Sequence, residues 1–322
     1  VPAHWAEARI VGRVRGKRRV VRRFGWSDEG AGAAEAHAQA RADAAWAALV
    51  AGAAVDGREP KVPYQGADGV PIREEVVERH GRVVISRNAY GARCLNTPDA
   101  LFFDVDLRPG GPAPWGWVVG VAGCLAGAFA GGALGGSWAL PLIGAAAALG
   151  AGIHVVQRAR APGFAARAEA AARARVEVAV RRRPGWLLEL YRTPRGLRGL
   201  AVHAPFDPRG PEAAALFDEI GGDPVYGRMC RAQRCFRARV SPKPWRAGVR
   251  APLRPRPGVW PVRPERLAER TAWVEAYERA VEGFAACRHL ATLGDGRRDP
   301  RVDAVRELHD RLSRARTPLP LA

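Results

Sequence analysis

The chain has 322 residues, 48% of them hydrophobic and 26% charged, and 51 Lys and Arg against 32 Asp and Glu give a formal net charge of +19. Such an excess suits a phosphate-bearing ligand or an anionic membrane surface and does not separate the two. The five cysteines, Cys94, Cys124, Cys230, Cys235 and Cys287, form no CxxC pair, which argues against structural zinc and fits a reducing compartment.

From the N-terminus, the pattern predicts a β-hairpin over 7–14 and 19–26. Arg9, Arg13, Arg15, Lys17, Arg18 and Arg19 crowd this segment where a secretory signal would carry an apolar core. Ser27, Asp28 and Glu29 are a capping signal for a helix over 30–51, whose stripe of Ala34, Ala38, Ala42, Ala45, Trp46 and Leu49 is a face for packing on a sheet. A Gly- and Pro-rich loop, 52–71, leads to short strands over 73–78, 83–87 and 92–95. Asn88, Tyr90 and Asn96 read as turn chemistry first and site lining second. The apolar strand over 101–107 then carries Asp104 and Asp106 near its end.

Residues 109–157 contain no Lys, Arg, Asp or Glu, and they divide into two apolar stretches, 115–134 and 138–157, around Gly135, Gly136 and Ser137. A membrane span needs roughly 20 apolar residues, so the run predicts a two-helix transmembrane hairpin. Its small residues, Gly123, Gly127, Gly131 and Gly135 against Gly144, Ala148 and Gly152, suit close helix packing. Arg108 on one flank and Arg158 and Arg160 on the other place both termini on the cytoplasmic side of a bacterial inner membrane.

Beyond it come a cationic amphipathic helix over 162–182, strands over 186–191 and 197–203 joined by a turn at 192–196, a helix over 212–220 and a strand over 234–240. With the hairpin treated as an insertion, the order from Leu101 is that of a ferredoxin-like split sheet. Prolines punctuate 241–264, and long helices over 265–293 and 302–312 form a helical cap. The expected whole is an α+β cytoplasmic domain, built from an N-terminal part (1–108) and a C-terminal part (158–322), with the transmembrane hairpin (109–157) between them.

Alternation puts Asp104 and Asp106 on one face of their strand, where two carboxylates can hold Mg²⁺ or Mn²⁺ while phosphates supply further oxygens. Asp-x-Asp after an apolar run also occurs in glycosyltransferases and haloacid-dehalogenase-type phosphatases, and as ordinary strand-end polarity. Followed by Ala201-Val202-His203 on a later strand, the motif resembles the catalytic core of archaeo-eukaryotic primase-polymerases over about residues 101–240. That resemblance implies Asp104 and Asp106 as catalytic metal ligands and His203 as a contact to the incoming nucleotide. The strand over 234–240 lacks the family's third carboxylate, leaving Asp207, Asp218 and Asp223 as candidates.

A basic cluster of Arg192 and Arg198 on one hairpin and Arg239, Lys243 and Arg246 after the last strand offers phosphate contacts, with Trp245 available for stacking. No Walker loop, Rossmann fingerprint, nucleophile elbow or HExxH is present. Two functions follow as expectations. One is a metal-dependent enzyme on a nucleotide or other phosphate substrate, with a nucleotide or nucleic acid as its expected partner; the other is a non-catalytic, membrane-tethered scaffold whose basic surface binds a partner protein or anionic lipid headgroups.

Overall fold

The computed structural model describes residues 1–59, 70–107, 121–126, 129, 149–150, 163, 166–256 and 260–322. The chain divides into two compact units, one of Val1–Val105, Val178–Pro194 and Arg198–Ala322, the other of Asp106–Glu177 with Arg195–Leu197.

In the first unit, β1 (His4–Val14) and β2 (Lys17–Ser27) pair antiparallel in unbroken register, from His4 opposite Ser27 to Val14 opposite Lys17. Arg15 and Gly16, both at positive φ, make the two-residue turn that this register requires. Helix α1 (Ala31–Val50) buries Ala34, Ala38 and Ala42, as the alanine stripe predicts, and packs Ala38 and Ala42 on Ala8. Side chains this small bring the helix so near β2 that a Cβ on Gly25 would lie 2.1 Å from the Ala38 nitrogen and 2.3 Å from the Ala34 oxygen. Gly25→Ala therefore forces backbone from backbone, and its expected cost is about 1–3 kcal/mol in urea unfolding. An unshifted midpoint would show that the helix rides the hairpin loosely.

Two four-stranded sheets follow. One has the order β3 (Glu75–His80), β4 (Val83–Arg87), β5 (Arg93–Thr97), β9 (Phe236–Arg239), with every neighbouring pair antiparallel. The other has the order β10 (Arg288–Gly294), β7 (Leu187–Thr193), β8 (Gly196–Ala201), β6 (Phe102–Asp106). The helices, in chain order, are α2 (166–181), most of which belongs to the second unit, α3 (Pro211–Ile220), α4 (Pro224–Gln233), α5 (Leu267–Val281) and α6 (Pro300–Ser313). Both α3 and α4 open on proline and end on a left-handed residue, Gly221 and Arg234 respectively.

The α+β class holds, with three corrections. First, β9 does not complete a split sheet beside β6; it pairs with β5, setting Cys94 opposite Arg239 and Asn96 opposite Arg237. The two strands are joined instead by side chains. The Tyr226 hydroxyl donates to the Phe102 carbonyl at 3.0 Å and accepts from the Arg237 amide at 3.1 Å. Second, the long helix expected over 265–293 ends at Val281, and its C-terminal part becomes β10, which pairs antiparallel with β7. The apolar spacing that continues past Gly283 belongs to a chain that changes period there.

The third concerns the membrane. Among the described residues, no helix is long and apolar enough to cross one, so the two-span anchor and the integral-membrane partner inferred from it are corrected. Freedom from charge over 109–157 limits polarity but sets no helix length. Of that run, residues 121–126, 129 and 149–150 are described, and they are helical. The rest of that expectation lies outside the described residues. Within the second unit, the Leu107 amide donates to the Arg195 carbonyl at 3.0 Å, and Arg173 pairs with Glu177 one helical turn on at 2.8 Å.

Candidate functional site

Alternation along β4, β5 and β9 gives their sheet two unlike faces. Ile85, Leu95, Phe236 and Ala238 are buried and apolar, whereas Ser86, Cys94, Asn96 and Arg237 share the opposite face. Arg237 is held there by Glu74, which lies just before β3; its Nη2 is 2.6 Å from Glu74 Oε2, and Ser86 Oγ donates to the same oxygen at 2.7 Å. Burial opposes the Arg237 charge, but Cys94 and Glu74 outweigh it and raise the guanidinium pKa. This buried pair was absent from the sequence reading, since its partners stand 163 residues apart.

Asp104 sits in a comparable pair. Arg198, on β8, donates from Nε to Asp104 Oδ1 at 2.9 Å and from Nη2 to Oδ2 at 3.2 Å, while Nη1 reaches the Arg239 carbonyl at 2.7 Å. The guanidinium is 3% exposed, and burial works against its charge, yet Asp104 raises its pKa on balance. Both carboxylate oxygens of Asp104 are thus engaged by a bidentate cation, with which any metal would compete. Among the described residues, no group of three or more His, Cys, Asp or Glu side chains gathers as a metal site.

The other expected members are spread out. Asp106 is exposed at the end of β6 and belongs to the second unit. His203 turns its ring between Trp186 and Phe206, at 4.6 and 5.3 Å between centroids, with Nδ1 3.2 Å from the Leu187 carbonyl. Burial lowers its pKa. Arg192 stands opposite Arg288 on β10. Of the possible third carboxylates, Asp223 approaches β6 most directly, its amide donating to the Asp104 carbonyl at 3.2 Å, but its side chain caps α4 through the Val225 amide. Asp207 closes a turn on the Arg209 amide, and Asp218 is exposed on α3.

What does come together is aromatic and basic. Between β4 and β5, Asn88 Oδ1 accepts from the Tyr90 and Ala92 amides at 3.2 and 3.0 Å, and Arg87 Nη1 donates to the Gly91 carbonyl at 2.9 Å. Gly91 takes φ +102°, and a Cβ there would strike the Trp273 ring, so this turn requires glycine. The turn presents Tyr90. Facing it, Pro244–Arg246 forms a 3-10 turn after β9 that presents Trp245, 54% exposed. The two rings meet edge-on at 5.3 Å, with Lys243 Nζ 5.9 Å from the Tyr90 ring and 5.4 Å from that of Trp245. Arg239 is near enough to lower the Tyr90 phenol pKa, although burial wins and raises it.

This platform is anchored from behind. The Tyr277 hydroxyl donates to the Pro242 carbonyl at 2.7 Å and lies 2.6 Å from Ser241 Oγ, and Tyr277 stacks on Trp273 within a cluster that includes Leu253 and Val281. Glu278 on the same helix receives Arg87 at 3.0 Å and Arg93 at 3.4 Å, fixing α5 to β4 and β5. Sequence spacing brings Lys243 and Trp245 together, and the structure adds Tyr90, whose signal was the Asn-Ala-Tyr-Gly turn between two strands.

A chain of Cys287, His309 and Asp310 has the order of a nucleophile relay, with Sγ 3.8 Å from Nε2 and Nδ1 3.2 Å from Oδ1. His309 draws the Cys287 thiol pKa down against burial, and its own pKa rises against burial. Neither residue has exposed surface, so the relay reaches no substrate and serves to hold α6 against the segment entering β10. Cys230 and Cys235, set beside arginines in the sequence, have thiol pKa values raised by burial and act as packing residues. No protein-family model, curated protein or solved structure matches the chain.

Proposed function

We propose that the chain binds single-stranded nucleic acid through the platform of Tyr90, Lys243 and Trp245. The observation that carries this reading is the exposed Trp245 ring, held by a proline-bounded turn at 5.3 Å from Tyr90 with an ammonium beside both. A large aromatic at 54% exposure contributes little to its own fold, and a rigid ring flanked by cations is what a nucleobase stacks on. Arg239 and Arg246 add positive charge on the same segment, and the net charge of +19 favours a polyanion at long range. Metal chemistry plays no part in this reading, because Arg198 engages both carboxylate oxygens of Asp104.

Fluorescence anisotropy with a labelled oligothymidylate tests it. The Trp245→Ala variant is expected to bind about 5- to 150-fold more weakly, matching the roughly 1–3 kcal/mol of one base stacked on an aromatic ring, with its thermal midpoint unchanged. Lys243→Ala should weaken binding and reduce the slope of log affinity against log salt by about one. Equal affinity of Trp245→Ala and the unaltered chain, at every salt concentration, would leave only diffuse attraction between charges and refute the platform.

A further inference from the structure

At the opposite end of the β4–β5 pair from the platform lies a cavity of about 440 Å³, within the range of small-molecule sites. Among the described residues, Arg82, Arg209 and Arg234 line it and no Asp or Glu does, and Ile72 and Val84 are among its apolar walls. Asn96 also lines it and is 4% exposed. Its Nδ2 donates to the Val84 carbonyl and Ser86 Oγ, both at 2.9 Å, and to the Cys94 carbonyl at 3.2 Å. Two of these three groups are carbonyls and only accept, so the amide has a single sensible orientation. Asn96 Oδ1 is then a buried acceptor of fixed position, and it has no partner. It has essentially no accessible surface, so it lies behind the cavity wall, and the charged groups that face a ligand are the arginines.

We infer that this cavity binds a phosphomonoester of nucleoside-monophosphate size, the phosphate meeting the arginines and the ligand body lying against the apolar walls. Arg209 and Arg234 give the cavity a positive lining, with Arg82 shared between it and Asp99, and their forked donors suit phosphate. Arg82 already bonds Asp99 at 2.8 Å, and Arg209 Nε is occupied by the Arg231 carbonyl at 3.0 Å, so both side chains are oriented before a ligand arrives. The apolar walls suit the flat body of a base. This site is separate from the nucleic-acid platform and does not depend on it.

Isothermal titration of the full chain with 5′-AMP, 5′-GMP, 5′-CMP and 5′-UMP, and with inorganic phosphate, tests the inference. One saturable site per chain is expected for at least one nucleotide, tighter than for phosphate alone. The Arg82→Ala, Arg209→Ala variant should weaken it tenfold or more, and Trp245→Ala should leave it unchanged. Both arginines are exposed, so the fold should survive; if circular dichroism shows otherwise for the pair, the single Arg82→Ala variant, 70% exposed at that side chain, carries the comparison. The inference fails if no nucleotide binds saturably, if phosphate alone binds as tightly as every nucleotide, or if the arginine variants bind as the unaltered chain does. It fails equally if Trp245→Ala abolishes binding, since the nucleotide would then occupy the platform.

Discussion

Glu74→Ala is expected to destabilise the first unit by about 3–5 kcal/mol, a large part of the stability of an ordinary domain. The reason is what the substitution leaves behind. Arg237 is 6% exposed and Glu74 4%, their charged atoms 2.6 Å apart, and among the described residues Glu74 is the only carboxylate paired with that guanidinium. Without it, a full positive charge stays in the interior, with Ser86 Oγ also deprived of its acceptor. The pair itself need not be a net gain over an apolar core, because two charges were desolvated to make it. Replacing both residues, Glu74→Met with Arg237→Met, should therefore recover most of the loss. Urea unfolding of the two single variants and the double variant gives the coupling directly. A loss below about 1 kcal/mol for Glu74→Ala would mean that water reaches Arg237 and that the polar sheet face is open.

How far the sequence led to this fold depends on the distance between partners. The N-terminal hairpin and α1 are written in local alternation and an alanine stripe, and both form nearly where that pattern puts them. So do the strand carrying Asp104 and the hairpin of β7 and β8. The failures are non-local. Nothing within a window of ten residues says that Phe236–Arg239 pairs with β5 in place of β6, or that 288–294 leaves a helical pattern to join β7. A charge-free run reported on composition and not on helix length. The site divides the same way. Lys243 and Trp245 are neighbours in sequence and in space, whereas Asp104 reads as a free carboxylate until Arg198, 94 residues later, is brought against it. Alternation along the strand holds no information about the cation that meets Asp104 there.

The same pairing turns the role of Asp104 into a measurable difference. Asp104→Ala is expected to cost about 3 kcal/mol, near the lower end for a broken buried pair because the carboxylate is partly exposed while Arg198 is almost fully enclosed, at 36% and 3%. A carboxylate that served only to bind a metal would behave in the opposite sense. Its removal from the metal-free protein relieves repulsion among ligands and leaves the urea midpoint unchanged or higher. Asp104→Asn separates geometry from charge, since it keeps one oxygen for Arg198 Nε and gives up the ionic attraction. It should fall between the unaltered chain and Asp104→Ala. Arg198→Met, which removes the buried cation and leaves a carboxylate with access to water, should be milder than Asp104→Ala, because the uncompensated charge then sits where it can be solvated. The ranking Asp104→Ala worst, Asp104→Asn intermediate and Arg198→Met mildest is what a clamp between β6 and β8 predicts. If Asp104→Ala matches the unaltered chain in stability and loses Mn²⁺ binding by titration calorimetry, the carboxylate is a ligand and Arg198 merely its resting partner.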